Sequence, residues 1–177
     1  LIQTHIKKIF IFGLGYSGKS VLEYFIFKKK NILVWDDNDL IRKEIKKEYP
    51  EIDICNPKEI NWENVIFAII SPGINPNHQL LNFARKSNIP FFRDLEIFSQ
   101  NVDKKKVIAV TGTNGKSTTV SLIGHILSLN RNNVFVGGNL KPPLVDALKI
   151  NFYDQYVIEL SSYQLELAPS FNSYISI

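Results

Sequence analysis

Residues 107–119, Val-Ile-Ala-Val-Thr-Gly-Thr-Asn-Gly-Lys-Ser-Thr-Thr, constrain the fold more than any other stretch of this 177-residue chain. Four apolar residues run into a glycine turn, and a Lys-Ser-Thr comes next. Val120, Leu122, Ile123, Ile126 and Leu127 then recur at helical spacing. The pattern predicts a strand, a tight loop and a helix. Backbone N–H groups of such a loop, with a helix N-terminus behind them, form a concave site for phosphate oxygens. Glycines let the backbone come close and take positive φ. The spacing is G-x-x-G-K-S, with Val110 where the common phosphate loop carries its first glycine. The strand-loop-helix context favours an ATP site over a plain glycine turn. Gly112, Thr113, Asn114, Gly115, Lys116, Ser117 and Thr118 are the expected ATP contacts. Lys116 would bring a positive charge to the β/γ-phosphates as the catalytic cation, and the Ser117 hydroxyl would ligate Mg²⁺.

A second glycine loop opens the chain. Ile6 to Phe12 reads as a strand, Gly13-Leu14-Gly15-Tyr16-Ser17-Gly18 comes at once after it, and Val21, Leu22, Phe25 and Ile26 continue at helical spacing. Asn31 to Trp35 is a second strand ending in Asp36-Asp37-Asn38. G-x-G-x-x-G between strand and helix, with an acid about twenty residues on, is the β-α-β dinucleotide fingerprint. It predicts a Rossmann-like unit and a diphosphate at the helix N-terminus, without saying what carries the diphosphate. Asp36 or Asp37 could accept a hydrogen bond from a ligand hydroxyl.

Further along, Leu40 to Tyr49 reads as a charged helix, Ile52 to Cys55 as a short strand, and Asn64 to Ile70 as a buried strand without alternation, as parallel sheets require. Ser71-Pro72-Gly73-Ile74 closes that strand at its C-terminal end, where open α/β sheets bind ligands, and Ser71 could bond one there. Asn77 to Ser87 reads as an amphipathic helix, Ile89 to Phe92 as an edge strand, and Arg93 to Ser99 as a short helix. Polar Gln100 to Lys106 is placed as the boundary between domains 1–100 and 101–177. In the second domain, Asn133 to Val136 is a strand leading into Gly137-Gly138-Asn139. Asp154 to Leu160 is another, delivering Glu159 to its C-terminal end. An acid at this place in a phosphate-loop sheet can hold Mg²⁺ directly or through water. Glu166 reads as a helix-surface charge. His5, His78 and His125 have no metal spacing and are assigned no chemistry.

Composition narrows the function classes. The formal charge is +4, from 21 Lys+Arg against 17 Asp+Glu, and the positives are scattered without interleaved aromatics. That argues against nucleic acid and suits a polyanionic small ligand. No apolar run reaches membrane-span length. The single cysteine, Cys55, allows no internal disulfide and reads as a half-buried strand residue, which fits a reducing cytosol. The absence of methionine and a C-terminal stretch that reads as an unfinished strand predict a trimmed N-terminus and a longer parent chain. A sheet ending there would expose an apolar edge and self-associate.

These segments together resemble the Mur ligases of peptidoglycan synthesis, and within them the D-glutamate-adding branch. The likeness is carried in order by Gly13 to Gly18, Ser71 to Ile74, Asp94-Leu95-Glu96-Ile97-Phe98, Thr111 to Thr118, Gly137 to Asn139, and Glu159-Leu160-Ser161-Ser162-Tyr163-Gln164-Leu165-Glu166. The resemblance implies an α/β chain, a Rossmann-like parallel-sheet domain followed by the first part of a phosphate-loop central domain. It implies a cytoplasmic ATP- and Mg²⁺-dependent ligase, monomeric at full length. ATP would phosphorylate the carboxylate of UDP-N-acetylmuramoyl-L-alanine, and D-glutamate would attack the acyl phosphate. It places the UDP-substrate near Leu14, Gly15, Tyr16, Ser17, Asp36, Asp37, Ser71, Pro72, Gly73 and Asn139, and Mg²⁺ at Ser117 and Glu159. Related enzymes often carry Thr or Ser, then a basic residue, after the acid that Asp36 matches; Asp37 and Asn38 depart from this. The family's metal-assisting histidine and lysine and its third domain have no counterpart here, so the 177-residue chain is expected to bind without turning over. Other readings are another Mur or folylpolyglutamate-type ligase, an NAD-dependent oxidoreductase built on the first fingerprint alone, and a non-enzymatic nucleotide-binding module.

Overall fold

Ile9, Phe10, Ile11 and Phe12 are all buried in the first strand, β1 (Lys8–Phe12), with no alternation between faces. A strand buried on both sides needs layers above and below it, and that demand organises the elements around β1. The computed structural model describes residues 7–150 and 152–177; the expected start of β1 at Ile6, and His5, lie outside the described residues. The chain divides into two units, one running to Phe92 and the other from Arg93 to Ile177.

In the first unit β1 leads to α1 (Tyr16–Phe27), β2 (Ile32–Trp35), α2 (Asp39–Glu48), β3 (Asp53–Ile54), β4 (Val65–Ile70), α3 (Asn82–Lys86) and β5 (Phe91–Phe92). The sheet is parallel, in the order β3-β2-β1-β4-β5. The order reverses between β1 and β4, so a crevice opens there at the C-terminal ends of the strands. The α2 helix buries only Ile45 and is capped by the Asn38 side chain, which accepts from Leu40 N–H. The helix expected over 77–87 is shorter. A single 3₁₀ turn, Gln79–Leu81, precedes α3, because the Asn75 and His78 side chains accept from the N–H groups of Asn77 and Leu80 and compete with helix formation. Cys55 comes just after β3 and is half-buried, which pushes its thiol pKa up.

The second unit comprises α4 (Asp94–Ser99), β6 (Val107–Val110), α5 (Lys116–Leu129), β7 (Val134–Gly138), β8 (Gln155–Glu159), α6 (Ser162–Leu165) and β9 (Ile175–Ser176). Its parallel sheet runs β7-β8-β6-β9. The boundary expected at 100–106 falls instead before α4. That helix buries Asp94, Leu95, Glu96, Ile97 and Phe98, and packs on a 3₁₀ segment, Leu144–Leu148, that periodicity does not announce.

Strand β9 leaves Tyr174, Ile175 and Ile177 exposed at 70%, 42% and 55%, and α5 exposes Leu122, Ile126 and Leu129. A strand edge with exposed apolar side chains invites pairing with another copy, and exposed apolar residues on a helix add to that tendency. The chain is expected to elute above its monomer mass in size-exclusion chromatography at high concentration; a monodisperse monomer would contradict this. Among the described residues no helix is long and apolar enough to cross a membrane.

Candidate functional site

The first-unit site is built on the end of β1. Gly13 has φ +89, and the next N–H, of Leu14, donates to Asp36 Oδ2 at 2.7 Å. The other Asp36 oxygen accepts from Asn38 N–H at 2.8 Å. Asp36 therefore stitches the glycine loop to the end of β2 through backbone amides and is only 9% exposed. Ser71 Oγ donates to Gly13 O at 2.6 Å, which ties the loop after β4 to the same glycine turn. The result is a cavity of about 310 Å³ lined by Gly15, Tyr16, Ser17, Asp36, Ser71, Pro72 and Gly73, with Gly13, Ile41 and Ile74 completing the wall. Seven sequence-predicted substrate residues thus share one cavity. Leu14 is buried and takes part through its N–H alone, and Asp37 does not line the cavity. The N-terminus of α1, with Gly15 as its N-cap, opens onto this space, and the start of a helix suits an anion.

The second-unit site lies where β6, β7 and β8 end side by side, with Val110 and Gly138 each paired with Glu159. Gly112 (φ +134) and Gly115 (φ +76) shape the loop, and Gly115 is the N-cap of α5. Lys116 Nζ donates to the carbonyls of Gly112 at 2.7 Å and Thr113 at 3.3 Å. Gly112, Thr113, Asn114, Ser117 and Thr118 are exposed, as a ligand-facing loop requires. Glu159 is 3% exposed and takes a hydrogen bond on each oxygen, from Ser117 Oγ at 2.6 Å and from Asn139 Nδ2 at 2.8 Å. Asn139 N–H donates to the Glu159 carbonyl at 2.8 Å, and Gly138, at φ +117, permits that close approach because a Cβ on it would overlap the same oxygen. No cluster of three or more His, Cys, Asp or Glu is poised for a metal among the described residues. A hydroxyl and a carboxylate so close together still fit Mg²⁺, a hard ion that takes few protein oxygens and completes its shell with phosphate and water.

The contacts made by the chain after β8 are not announced by the sequence. The chain after β8 begins with a capping box: Ser161 Oγ accepts from Gln164 N–H, and Gln164 Oε1 accepts from Ser161 N–H at 3.1 Å. The Gln164 amide nitrogen turns to Asp94 at 3.4 and 3.5 Å. Glu96 accepts from Ser170 N–H at 3.0 Å, and Arg93, fully buried, lies 3.5 Å from Glu166. Glu166, expected as a plain surface charge, is thus partnered. Burial pushes the Asp94 carboxyl above the ordinary carboxylate range, against the pull of hydrogen bonds from Gln164 and Leu95 N–H. The folded state then holds that proton to higher pH than the unfolded chain does. Stability relative to Asp94→Asn should fall as pH rises from the ordinary carboxylate range through the raised pKa. Urea unfolding of both proteins across that range checks it; a constant difference would contradict it.

Two parallel-sheet units, each with a glycine loop at its strand ends, define an α/β protein. A model of the MurD-like N-terminal domain of Mur ligases matches residues 7–92, and one of the Mur ligase middle domain matches residues 110–173. Over 172 residues the chain is 39% identical to the UDP-N-acetylmuramoylalanine--D-glutamate ligase of Wolbachia pipientis wMel, covering 96% of this chain and 33% of that protein. To the protein of the same name from Rickettsia prowazekii (strain Madrid E) it is 37% identical over 171 residues, covering 97% and 38%. Among solved structures, UDP-N-acetylmuramate:L-alanyl-gamma-D-glutamyl-meso-diaminopimelate ligase from Neisseria meningitides shares the fold, with TM-score 0.53 and 16% identity over 87% of this chain and 52% of that one. UDP-N-acetylmuramate-alanine ligase MurC from Thermotoga maritima does so with TM-score 0.50 and 24% identity, over 86% and 36%. The chain belongs to the Mur ligases. It spans 33% and 38% of the length of the two curated relatives.

Proposed function

We propose that the chain carries the UDP-substrate and ATP sites of a ligase that adds D-glutamate to UDP-N-acetylmuramoyl-L-alanine, in cytoplasmic peptidoglycan precursor synthesis. The observation that carries this reading is the set Lys116, Ser117, Glu159 and Asn139 converging on one glycine loop at the strand ends. The identity of about two-fifths with D-glutamate ligases along nearly the whole chain supports that choice of substrate.

The chemistry asks two anions, a carboxylate and the ATP γ-phosphate, to meet. Alignment and charge neutralisation are therefore what the protein must provide. The N–H groups of Gly112 to Gly115 and the start of α5 would hold phosphate oxygens. Lys116 would exchange the Gly112 and Thr113 carbonyls for the β/γ-phosphates. Ser117 and Glu159 would hold Mg²⁺, which offsets negative charge on the phosphates when bound. Asn139 would lend its amide to the substrate or keep Glu159 oriented. In the first unit, the α1 N-terminus would take the UDP diphosphate, and Asp36 with the Ser71–Gly73 loop would enclose the uridine. The attack of the D-glutamate amine on the acyl phosphate would draw on regions that the relatives possess beyond the matched third of their length.

Calorimetric titration with Mg·ATP tests the second-unit site, with saturable binding expected and a flat response contradicting it. With UDP-N-acetylmuramoyl-L-alanine and Mg·ATP present, the 177-residue chain should release no phosphate on addition of D-glutamate. Release that depends on D-glutamate would refute the claim that these two units bind without turning over.

A further inference from the structure

Asp37 and His78 meet across the crevice of the first unit. Asp37 comes after β2 and His78 after β4, and these strands flank β1 on opposite sides. His78 Nε2 lies 3.0 Å from Asp37 Oδ2. The imidazole stands edge-on against Phe12, the last residue of β1, with centroids 5.1 Å apart. Its Nδ1 accepts from Leu80 N–H at 3.3 Å, which leaves Nε2 to carry the hydrogen and donate to Asp37. The second Asp37 oxygen accepts from the Trp35 indole N–H at 3.0 Å, and the Arg42 guanidinium stacks on that indole. The pair thus links, over the end of β1, the two loops that wall the cavity: the one bearing Asp36, and the one running Ser71–Ile74. Neither Asp37 nor His78 lines the cavity itself.

We infer that Asp37 and His78 are positioning residues, a clasp that sets the width of the crevice for the nucleoside diphosphate end of the ligand, with Asp37 acting through His78 rather than by touching the ligand. The inference rests on the UDP-substrate reading. Asp37 lies outside the cavity lining, and each of its oxygens already faces a side-chain donor. Asp37 is 49% exposed, and a partly exposed pair adds little to global stability. Asp37→Ala should therefore appear in affinity and hardly at all in the melting temperature, whereas His78→Ala also removes the acceptor for Leu80 N–H and the ring against Phe12 and should lower it.

A double-mutant cycle on Asp37 and His78, read by titration with UDP-N-acetylmuramoyl-L-alanine, tests the clasp. Asp37→Ala and His78→Ala should each weaken binding about five- to tenfold, and the double variant should be no weaker than the singles, because the interaction is shared. Asp37→Asn keeps an oxygen that can accept from Nε2–H but sets its NH₂ against the Trp35 indole N–H, so it should bind between wild type and Asp37→Ala. Loss in Asp37→Ala with none in His78→Ala would make Asp37 a direct ligand contact and overturn the clasp, as would additive losses or a gain in affinity. Nitrogen-15 spectra of the ligand-free chain at pH 8 should show the His78 proton on Nε2; a proton on Nδ1 would also overturn it. A wild-type chain that bound no uridine diphosphate compound would sink the functional reading and the clasp's role with it, and the ring spectrum would still show whether the clasp exists.

Discussion

Gly18→Ala is expected to destabilise the first unit by about 3 kcal/mol, the scale of an overpacked core that cannot relax. A Cβ on Gly18 would overlap the Gly13 carbonyl oxygen and fall 2.6 Å from Ser71 Oγ. Neither neighbour can retreat cheaply. Gly13 is held at φ +89, and Ser71 Oγ is committed to Gly13 O. The closeness of α1 to the glycine turn is what brings the helix N-terminus to the cavity, so the strain lands on the site itself. Trp35 and Trp62, the only two tryptophans, both lie in this unit, so their fluorescence during urea unfolding reads it separately. Gly15→Ala is the control. Its Cβ would meet nothing within 4 Å, and its φ of −65° suits any residue, so it should cost under about 1 kcal/mol. Equal midpoints for wild type and Gly18→Ala would contradict this packing account.

Lys116→Ala should lower affinity for Mg·ATP about a hundredfold, the scale of losing a charge-assisted contact to phosphate in a preorganised loop. It should leave thermal stability unchanged or slightly raised. The ammonium sits in the first turn of α5, where a cation opposes the helix dipole, and its present partners are two exposed loop carbonyls. A split between affinity and stability is what separates a ligand-binding role from a structural one. A variant that lost stability and kept affinity would reverse the assignment. Lys116→Arg should recover only part of the affinity, because a planar fork does not replace a compact point charge in a tight loop.

Much of the site is legible in the sequence because its parts are local. A glycine loop between a strand and a helix needs no knowledge of the rest of the chain, so residues 13–18 and 111–118 are enough to place both glycine loops. Glu159 is legible because an unalternating strand delivers its last residue to the ligand end of a parallel sheet. Contacts made across long stretches of sequence are not. Arg93 to Ser99 reads as a short helix, and nothing in that pattern marks Asp94 and Glu96 as buried. Their burial depends on Gln164 and Ser170, which sit far along the chain and carry no helical or strand periodicity as a marker. His78 has no metal partner in the sequence; only the fold brings it to Asp37. The start of the second unit reads too late for the same reason. Helix α4 closes against Leu144–Leu148, a short apolar segment that periodicity cannot reveal. Local chemistry is readable, and long-range satisfaction of buried polar groups is not.

Calorimetric titration of the folded chain with UDP-N-acetylmuramoyl-L-alanine, with NAD as comparator, separates a UDP-substrate module from a dinucleotide-binding one. Saturable heat is expected with the UDP-sugar and none with NAD. Binding of NAD without the UDP-sugar would contradict this and make the first glycine loop the dinucleotide site of an oxidoreductase.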